Sequence, residues 1–266
     1  MHLTQSSSTR RIRVGVQMQP QHTTYSSYME AVRRFESIGV DTLWDWDHFF
    51  PLNGDPQGNH YEGWTLLTAM AAGTQRVEVG CLVTCNTHRN PALLSNMAKT
   101  VDHISNGRLI LGMGAGWFER DYREYGYEFG TAGSRLDALE RSLEIIKHRW
   151  EVDVPKPLRQ IPILIGGGGE RKTLRIAAKH ANMTHFFADV ATFTRKMGVL
   201  DNWCAEFNRD PREIERACST RSFASDVQRD DYVAAGASHF ILGMSGTWDY
   251  DAVEDLVRWR DARNSR

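Results

Sequence analysis

Apolar and polar positions along this chain keep changing between two periods, and each change marks an element. Ile12, Val14, Val16 and Met18 recur at every second position, the repeat of a half-buried strand. Tyr28, Val32, Phe35 and Ile38 follow at helical spacing. Val40–Trp46 predicts a second strand and Trp64, Leu67 and Ala71 a second helix. Val77–Val83 is apolar and β-branched, and Leu94, Met97, Val101 and Ile104 form the helical stripe behind it. Leu109–Met113 reads as a fourth strand, with Leu136, Leu139, Leu143 and Ile146 on the helix after it. Ile161–Ile165 and Met183–Phe187 are further strands, and the next helix carries Phe193, Met197, Leu200, Cys204 and Phe207. His239–Met244 is the last strand, before Val253, Leu256 and Trp259. Ala217–Phe223 is a weaker strand, and whether residues 217–228 form a regular seventh βα unit stays open.

Strict alternation of strand and helix implies parallel strands joined by helical crossovers. Seven strands and a weaker eighth in 266 residues predict a (β/α)8 TIM-type barrel, with an open doubly wound sheet as the alternative. No Pro/Ser-rich linker divides the chain, so residues 1–266 are expected to form a single domain, with 1–10 disordered. A folded chain of this size hides roughly 70–75% of the surface it exposes when unfolded, enough for a sizeable core.

Composition then removes several function classes. Lys and Arg total 32 against 33 Asp and Glu, so no strong field is available for a polyanion and nucleic acid is not an expected partner. A net charge near zero leaves a homodimer open. No apolar run is long enough to span a membrane, and Met1–Arg11 has no apolar segment behind it, so neither a membrane nor a signal peptide is expected. Four scattered cysteines do not make a disulfide framework. These features together predict a cytoplasmic protein.

In such a barrel the chemistry lies in the loops after the strands. The segment Gly166-Gly167-Gly168-Gly169-Glu170-Arg171-Lys172 joins an apolar strand to a helix, where backbone N–H groups approach a phosphate most closely. It matches neither the dinucleotide fingerprint nor the P-loop, and a flexible turn is the alternative. His48 follows Asp47 at a strand end, placed either to move a proton or simply to hydrogen-bond a loop. Cys81 and Cys85 lack a second pair, so no structural zinc is expected. His60, His88, His185 and His239, read as lying on separate strands, sustain a metal-dependent hydrolase as an alternative. The aromatics between Trp117 and Phe129 either roof the pocket or pack a loop on the rim.

Several stretches together carry a family resemblance: Trp46-Asp-His-Phe-Phe-Pro51, Gly80-Cys-Leu-Val-Thr84 with Arg89-Asn-Pro91, and Gly107–Trp117. Tyr125-Gly-Tyr127, Arg135-Leu-Asp137, Pro162–Glu170 and His239-Phe-Ile-Leu242 complete the set. In this order they resemble the bacterial-luciferase-like oxidoreductases that use flavin or the deazaflavin coenzyme F420. The resemblance implies a barrel that holds an isoalloxazine-like ring at its strand ends and acts on a small-molecule substrate. It places Asp47 and His48 beside the ring as catalytic residues and a non-proline cis peptide at Cys81-Leu82 behind it, with Cys81, Leu82 and Thr84 binding the cofactor. It lines the cofactor with Ala115 and Gly116 and holds its phosphate with Gly166 to Arg171. Coenzyme F420 is the expected cofactor and FMN the alternative; a metal is not expected. Arg171, Lys172 and Arg175 are expected to meet the charged F420 tail, with solvated helix residues as the alternative. Catalysis is expected to be hydride transfer, with an FMN-dependent monooxygenase or a non-catalytic cofactor-binding relative as alternatives. Trp117 stands where the sugar-phosphate dehydrogenases of this family place a glutamate, so their substrate class is not implied. The segments Lys147–Pro155 and after Cys218 also look shorter than in larger relatives, which leaves the pocket more open or closed by a partner subunit.

Overall fold

Val14, Val16 and Met18 are fully buried along one face of β1 (Arg13–Gln19), as their period of two requires. The computed structural model describes residues 10–219 and 223–265. After β1 come α1 (Tyr25–Ile38), β2 (Thr42–Asp45), α2 (Gly63–Ala72), β3 (Glu78–Cys81), β4 (Thr84–Cys85) and α3 (Pro91–Ile104). The chain continues through β5 (Leu109–Gly114), α4 (Glu119–Tyr125), α5 (Ala132–Val152), β6 (Ile163–Gly166), α6 (Thr173–His180) and β7 (Met183–Phe187). It ends with α7 (Val190–Glu206), β8 (Glu215–Ser219), α8 (Asp226–Ala234), β9 (His239–Ser245) and α9 (Tyr250–Asn264). Every strand pairing is parallel, and the contact between β3 and β5 closes the ring, which excludes the open doubly wound sheet. With β3 and β4 as two halves of one stave, this is a (β/α)8 barrel.

Alternate residues divide between two apolar regions. Those facing outward pack with the helices in the larger core, where Phe35, Leu43, Leu67, Leu111, Leu143 and Phe193 are fully or almost fully buried. Those facing inward fill the lumen: Trp44, Leu82, Ile110, Leu164, Met183, Ala217 and Ile241. Below them, at the end where the strands begin, Arg13 reaches Glu78 and Glu215, and His239 Nδ1 lies 2.9 Å from Glu215. Charged residues thus plug the bottom of the lumen, and the mouth at the other end is left for chemistry.

Several boundaries differ from the expected ones. The strand expected at Ala217–Phe223 runs over Glu215–Ser219, two residues earlier. Glu215 and Arg216 hid its start, because a lumen-facing carboxylate paired with arginine breaks the apolar signal. Helix α8 follows from Asp226, so this is a regular βα unit; residues 220–222 between them lie outside the described residues. Residues 1–9 of the expected disordered tail also lie outside them, whereas Arg10 donates from Nη2 to Arg212 O at 2.8 Å. The second strand, Thr42–Asp45, is shorter than Val40–Trp46, and just before it the Asp41 carboxylate accepts from Val14 N–H at 2.8 Å.

Burial also sets how stability follows pH. It depresses His185 to about 3, with His239 adding to the effect, and depresses His180 to about 4, with Lys147 and Lys179 adding to it. In the unfolded chain such groups protonate near about 6.5. Below that pH the unfolded state binds more protons than the folded one, so stability present above it is lost as pH falls towards 3. Denaturant midpoints should therefore drop between pH 7 and pH 5, and His185→Gln should flatten the dependence. Equal midpoints at the two pH values would refute this assignment of charge.

Candidate functional site

His48 leaves the end of β2 towards the barrel mouth, and its ring is fixed from four sides. Nδ1 lies 2.7 Å from Asp121 Oδ2, while Asp121 Oδ1 accepts from Phe49 N–H at 3.1 Å. Trp46, Trp117 and Phe118 meet the imidazole in T-shaped contacts with centroids 5.5, 5.8 and 5.6 Å away. Asp121 is only 1% exposed and sits in the first turn of α4, where a negative charge complements the helix dipole. Nε2 of His48 has no hydrogen-bond partner among the described residues, and the side chain keeps 14% of its exposure. Nearby His60 is pushed down to about 4 by burial first and by His48 next, and its Nε2 accepts from Trp46 Nε1–H at 3.1 Å.

Asp47, expected beside His48 at the ring, points elsewhere. It is buried and takes a bidentate fork from Arg89, with Nη1 to Oδ2 at 2.6 Å and Nη2 to Oδ1 at 2.9 Å. Cys85 N–H donates to the same carboxylate at 2.9 Å. Asp47 therefore ties the end of β2 to the turn after β4.

The non-proline cis peptide is Leu82–Val83, one bond beyond the expected Cys81-Leu82. It forms the bulge between β3 and β4. Gln17 Nε2 donates to Leu82 O on one side of it. On the other side Val83 lies over glycines: a Cβ on Gly114 or Gly166 would come within 2.6 Å of its methyls. Leu82 belongs to the lumen cluster, Cys81 to the core under the helices, and Thr84 Oγ1 accepts from buried Trp64 Nε1–H at 3.2 Å. The thiol of Cys81 is pushed well up by burial, then by Asp45 and Asp47. All four cysteines are free and buried. Ala115 and Gly116 are half-buried at the exit of β5. Gly116 has φ +79, and a Cβ there would lie 1.9 Å from Tyr122 Oη, so no other residue fits.

The glycine run leaves β6 at Gly166 and turns through Gly167, whose φ is +115. Gly167 and Gly169 are exposed, and the N–H groups of Gly168, Gly169 and Glu170 find no acceptor among the described residues. A turn of unpaired amides before a helix suits the oxygens of a phosphate. Lys196 of α7 donates to Gly168 O and approaches Glu170 at 3.5 Å, and Arg195 also pairs with Glu170. Arg171 is exposed on the turn. Lys172 and Arg175, expected to meet a charged tail, are engaged by α5: Lys172 Nζ lies 2.6 Å from Asp137, and Arg175 pairs with Glu140.

Sequence reasoning missed Asp121, Lys196 and Gln17, all of which bear on the mouth. Asp121 lies 73 positions from His48, and only α4, within the stretch between Trp117 and Phe129, brings them together. Trp117 is 63% exposed at the rim and Phe187, beyond His185 on β7, is 64% exposed. The four histidines of the metal alternative are dispersed. His185 pairs with Ser219 at 2.8 Å, His239 with Thr42 at 2.8 Å, and His88 stacks on Phe49 at 4.6 Å. Among the described residues no three His, Cys, Asp or Glu side chains gather where they could hold a metal ion. No helix among them is long and apolar enough to cross a membrane.

A family profile described as luciferase-like monooxygenase matches residues 6–266. The chain belongs to the luciferase-like family. Among curated proteins, this luciferase-like chain is 29% identical to the F420-dependent glucose-6-phosphate dehydrogenase of Amycolatopsis mediterranei. That match covers 64% of the chain and 54% of the relative. It is 28% identical to the phthiodiolone/phenolphthiodiolone dimycocerosates ketoreductase of Mycobacterium tuberculosis, over 74% of the chain and 61% of the relative. The chain thus spans about half to three-fifths of the length of these curated relatives. Among solved structures, an F420-dependent secondary alcohol dehydrogenase in complex with an F420-acetone adduct superposes with a TM-score of 0.83. Its identity is 17%, and the match covers 96% of this chain and 99% of that one. The luciferase-like fold is thereby placed across nearly the whole length.

Proposed function

We propose that this chain is an oxidoreductase that moves a hydride between coenzyme F420 and a small organic substrate, with His48 handling the accompanying proton. The observation that carries the reading is the pairing of two open features at the strand ends. Among the described residues, one is a histidine whose Nε2 has no hydrogen-bond partner at the mouth; the other is a glycine turn whose amides are unpaired. The names of the similar proteins support the choice of F420. The residues fit the group: Gly168, Gly169 and Glu170 would donate to its phosphate, and Ala115, Gly116 and the Leu82–Val83 bulge would support its ring. When bound, the deazaflavin supplies the hydride chemistry, and the protein's part is to orient the substrate and manage its proton. His48 Nε2 accepts a proton from a hydroxyl in one direction and, once protonated, returns it to a carbonyl oxygen in the other. Trp46, Trp117 and Phe118 hold the ring for that exchange and reduce water access. The sugar-phosphate substrate of the Amycolatopsis relative is not carried over, since Trp117 replaces the expected glutamate.

FMN is the second reading. The ion pairs of Lys172 and Arg175 with α5 favour it, because they occupy two cations that the longer F420 tail was expected to use. Titrating both cofactors at two ionic strengths separates the readings. F420 should bind more tightly, and its advantage should shrink with salt as contacts to its charged tail are screened. Gly168→Val should weaken either cofactor by about tenfold or more, equivalent to ~1.4 kcal/mol. The Cβ would meet the Lys196 side chain at 3.2 Å, a flexible neighbour, so the variant should still fold. Tighter FMN binding with oxygen-consuming turnover would overturn the F420 assignment, and unweakened binding by Gly168→Val would move the phosphate elsewhere.

A further inference from the structure

We propose that Asp121 is the positioning residue that fixes the tautomer of His48, so that Nε2 faces the barrel mouth as a bare acceptor. A carboxylate can only accept, so the 2.7 Å contact requires the hydrogen on Nδ1. A neutral imidazole carries one hydrogen, and Nε2 is therefore left with its lone pair. The second oxygen of Asp121 is held by Phe49 N–H at 3.1 Å, which stops the carboxylate from rotating away. At 1% exposure no bulk water competes for it.

The surrounding charges do not offer a rival partner. His60 is held neutral at pH 7 by its depressed pKa and is already bonded to Trp46. His88 is depressed by burial, and Asp47 is taken by Arg89 and Cys85 N–H. Arg89 is shared between Asp47 and Glu62. Asp121 is thus the one carboxylate bonded to the His48 ring among the described residues.

This arrangement deepens the proposed function and rests on it for its catalytic meaning. On a carbinol substrate, Nε2 would take the hydroxyl proton as the carbon–oxygen single bond becomes a carbonyl, and the bound deazaflavin would supply the acceptor for the hydride lost from carbon. In the reverse direction the protonated imidazole would return that proton to the carbonyl oxygen, with the reduced cofactor as the hydride source. With the other tautomer, Nε2–H would face the hydroxyl and no base would be present.

Asp121→Asn tests this with little change of shape. Its Oδ1 keeps the bond from Phe49 N–H, which directs Nδ2 towards His48 Nδ1. An amide N–H there donates to Nδ1, so the imidazole hydrogen must move to Nε2. Nitrogen-15 NMR of the cofactor-free protein reads the tautomer directly, with His48→Asn identifying the signal. The wild type should show Nδ1–H with bare Nε2, and Asp121→Asn the reverse. With cofactor present, kcat should fall by ~10²-fold or more, while KM and the cofactor Kd stay within about threefold. Wild-type protein with hydrogen on Nε2 would overturn the proposal, even if the variant fails to fold. So would an Asp121→Asn variant that loses activity without changing tautomer, or changes tautomer without losing activity. Failure of the wild type to bind F420 or FMN would refute the proposed function instead, and leave the tautomer assignment standing on its own spectrum.

Discussion

His48→Ala should turn over substrate ~10²–10⁴-fold more slowly than the wild type, the span a positioned general acid or base contributes. The loss should appear in kcat, because the glycine turn proposed for the cofactor phosphate lies between β6 and α6, across the mouth from β2. Cofactor Kd should therefore change little. Alanine also strands the buried Asp121 carboxylate, so some stability will be lost for a reason unrelated to catalysis. His48→Asn controls for this, since its amide N–H still reaches towards Asp121. If both variants lose turnover and only the alanine loses stability, the two effects are separated. Added imidazole should restore part of the activity of His48→Ala by refilling the space between Trp46, Trp117 and Phe118. Unchanged turnover in both variants, with chemistry rate-limiting, would reduce His48 to a structural hydrogen bond.

The barrel itself was legible in the chain because its signal is local. Apolar residues every two positions and then every three or four identify each unit without knowledge of its neighbours. Legibility failed where a strand carries polar residues whose partners are far away. Glu215 is invisible as part of a strand until Arg13 and His239 are placed opposite it. The glycine turn was readable for the same reason as the strands, as four consecutive residues state a backbone requirement. The cations around it were not. Lys172 and Arg175 lie next to it in sequence but are drawn sideways to Asp137 and Glu140, while Lys196 comes back from the following helix. Asp47 and His48 show the limit most clearly. Neighbours in a chain leaving a strand point to opposite sides, so one joined Arg89 in the framework and the other joined Asp121 at the mouth.

That division makes Arg89→Met the substitution with the largest expected cost in stability. The Asp47 side chain has no exposure, and Arg89 supplies two of its three hydrogen bonds. Removing one partner of a buried ion pair leaves an uncompensated charge, a change that costs about 3–5 kcal/mol. Arg89 also contacts Glu62, whose carboxylate caps α2 by accepting from Trp64 N–H at 3.2 Å and Thr65 N–H at 2.7 Å. That second contact is half-exposed on the glutamate side and adds little. The double variant Asp47→Asn with Arg89→Met should recover part of the loss, because a neutral amide is cheaper to bury than a lone carboxylate. Urea unfolding of the wild type, both single variants and the double variant gives the coupling between the pair directly. A substantial coupling, with cofactor bound normally by whatever protein remains folded, assigns Asp47 to holding β2 against β4. An Arg89→Met protein within about 1 kcal/mol of the wild type would mean that Asp47 is not left uncompensated. Asp47→Asn with full stability and no turnover would instead return this carboxylate to the chemistry at the mouth.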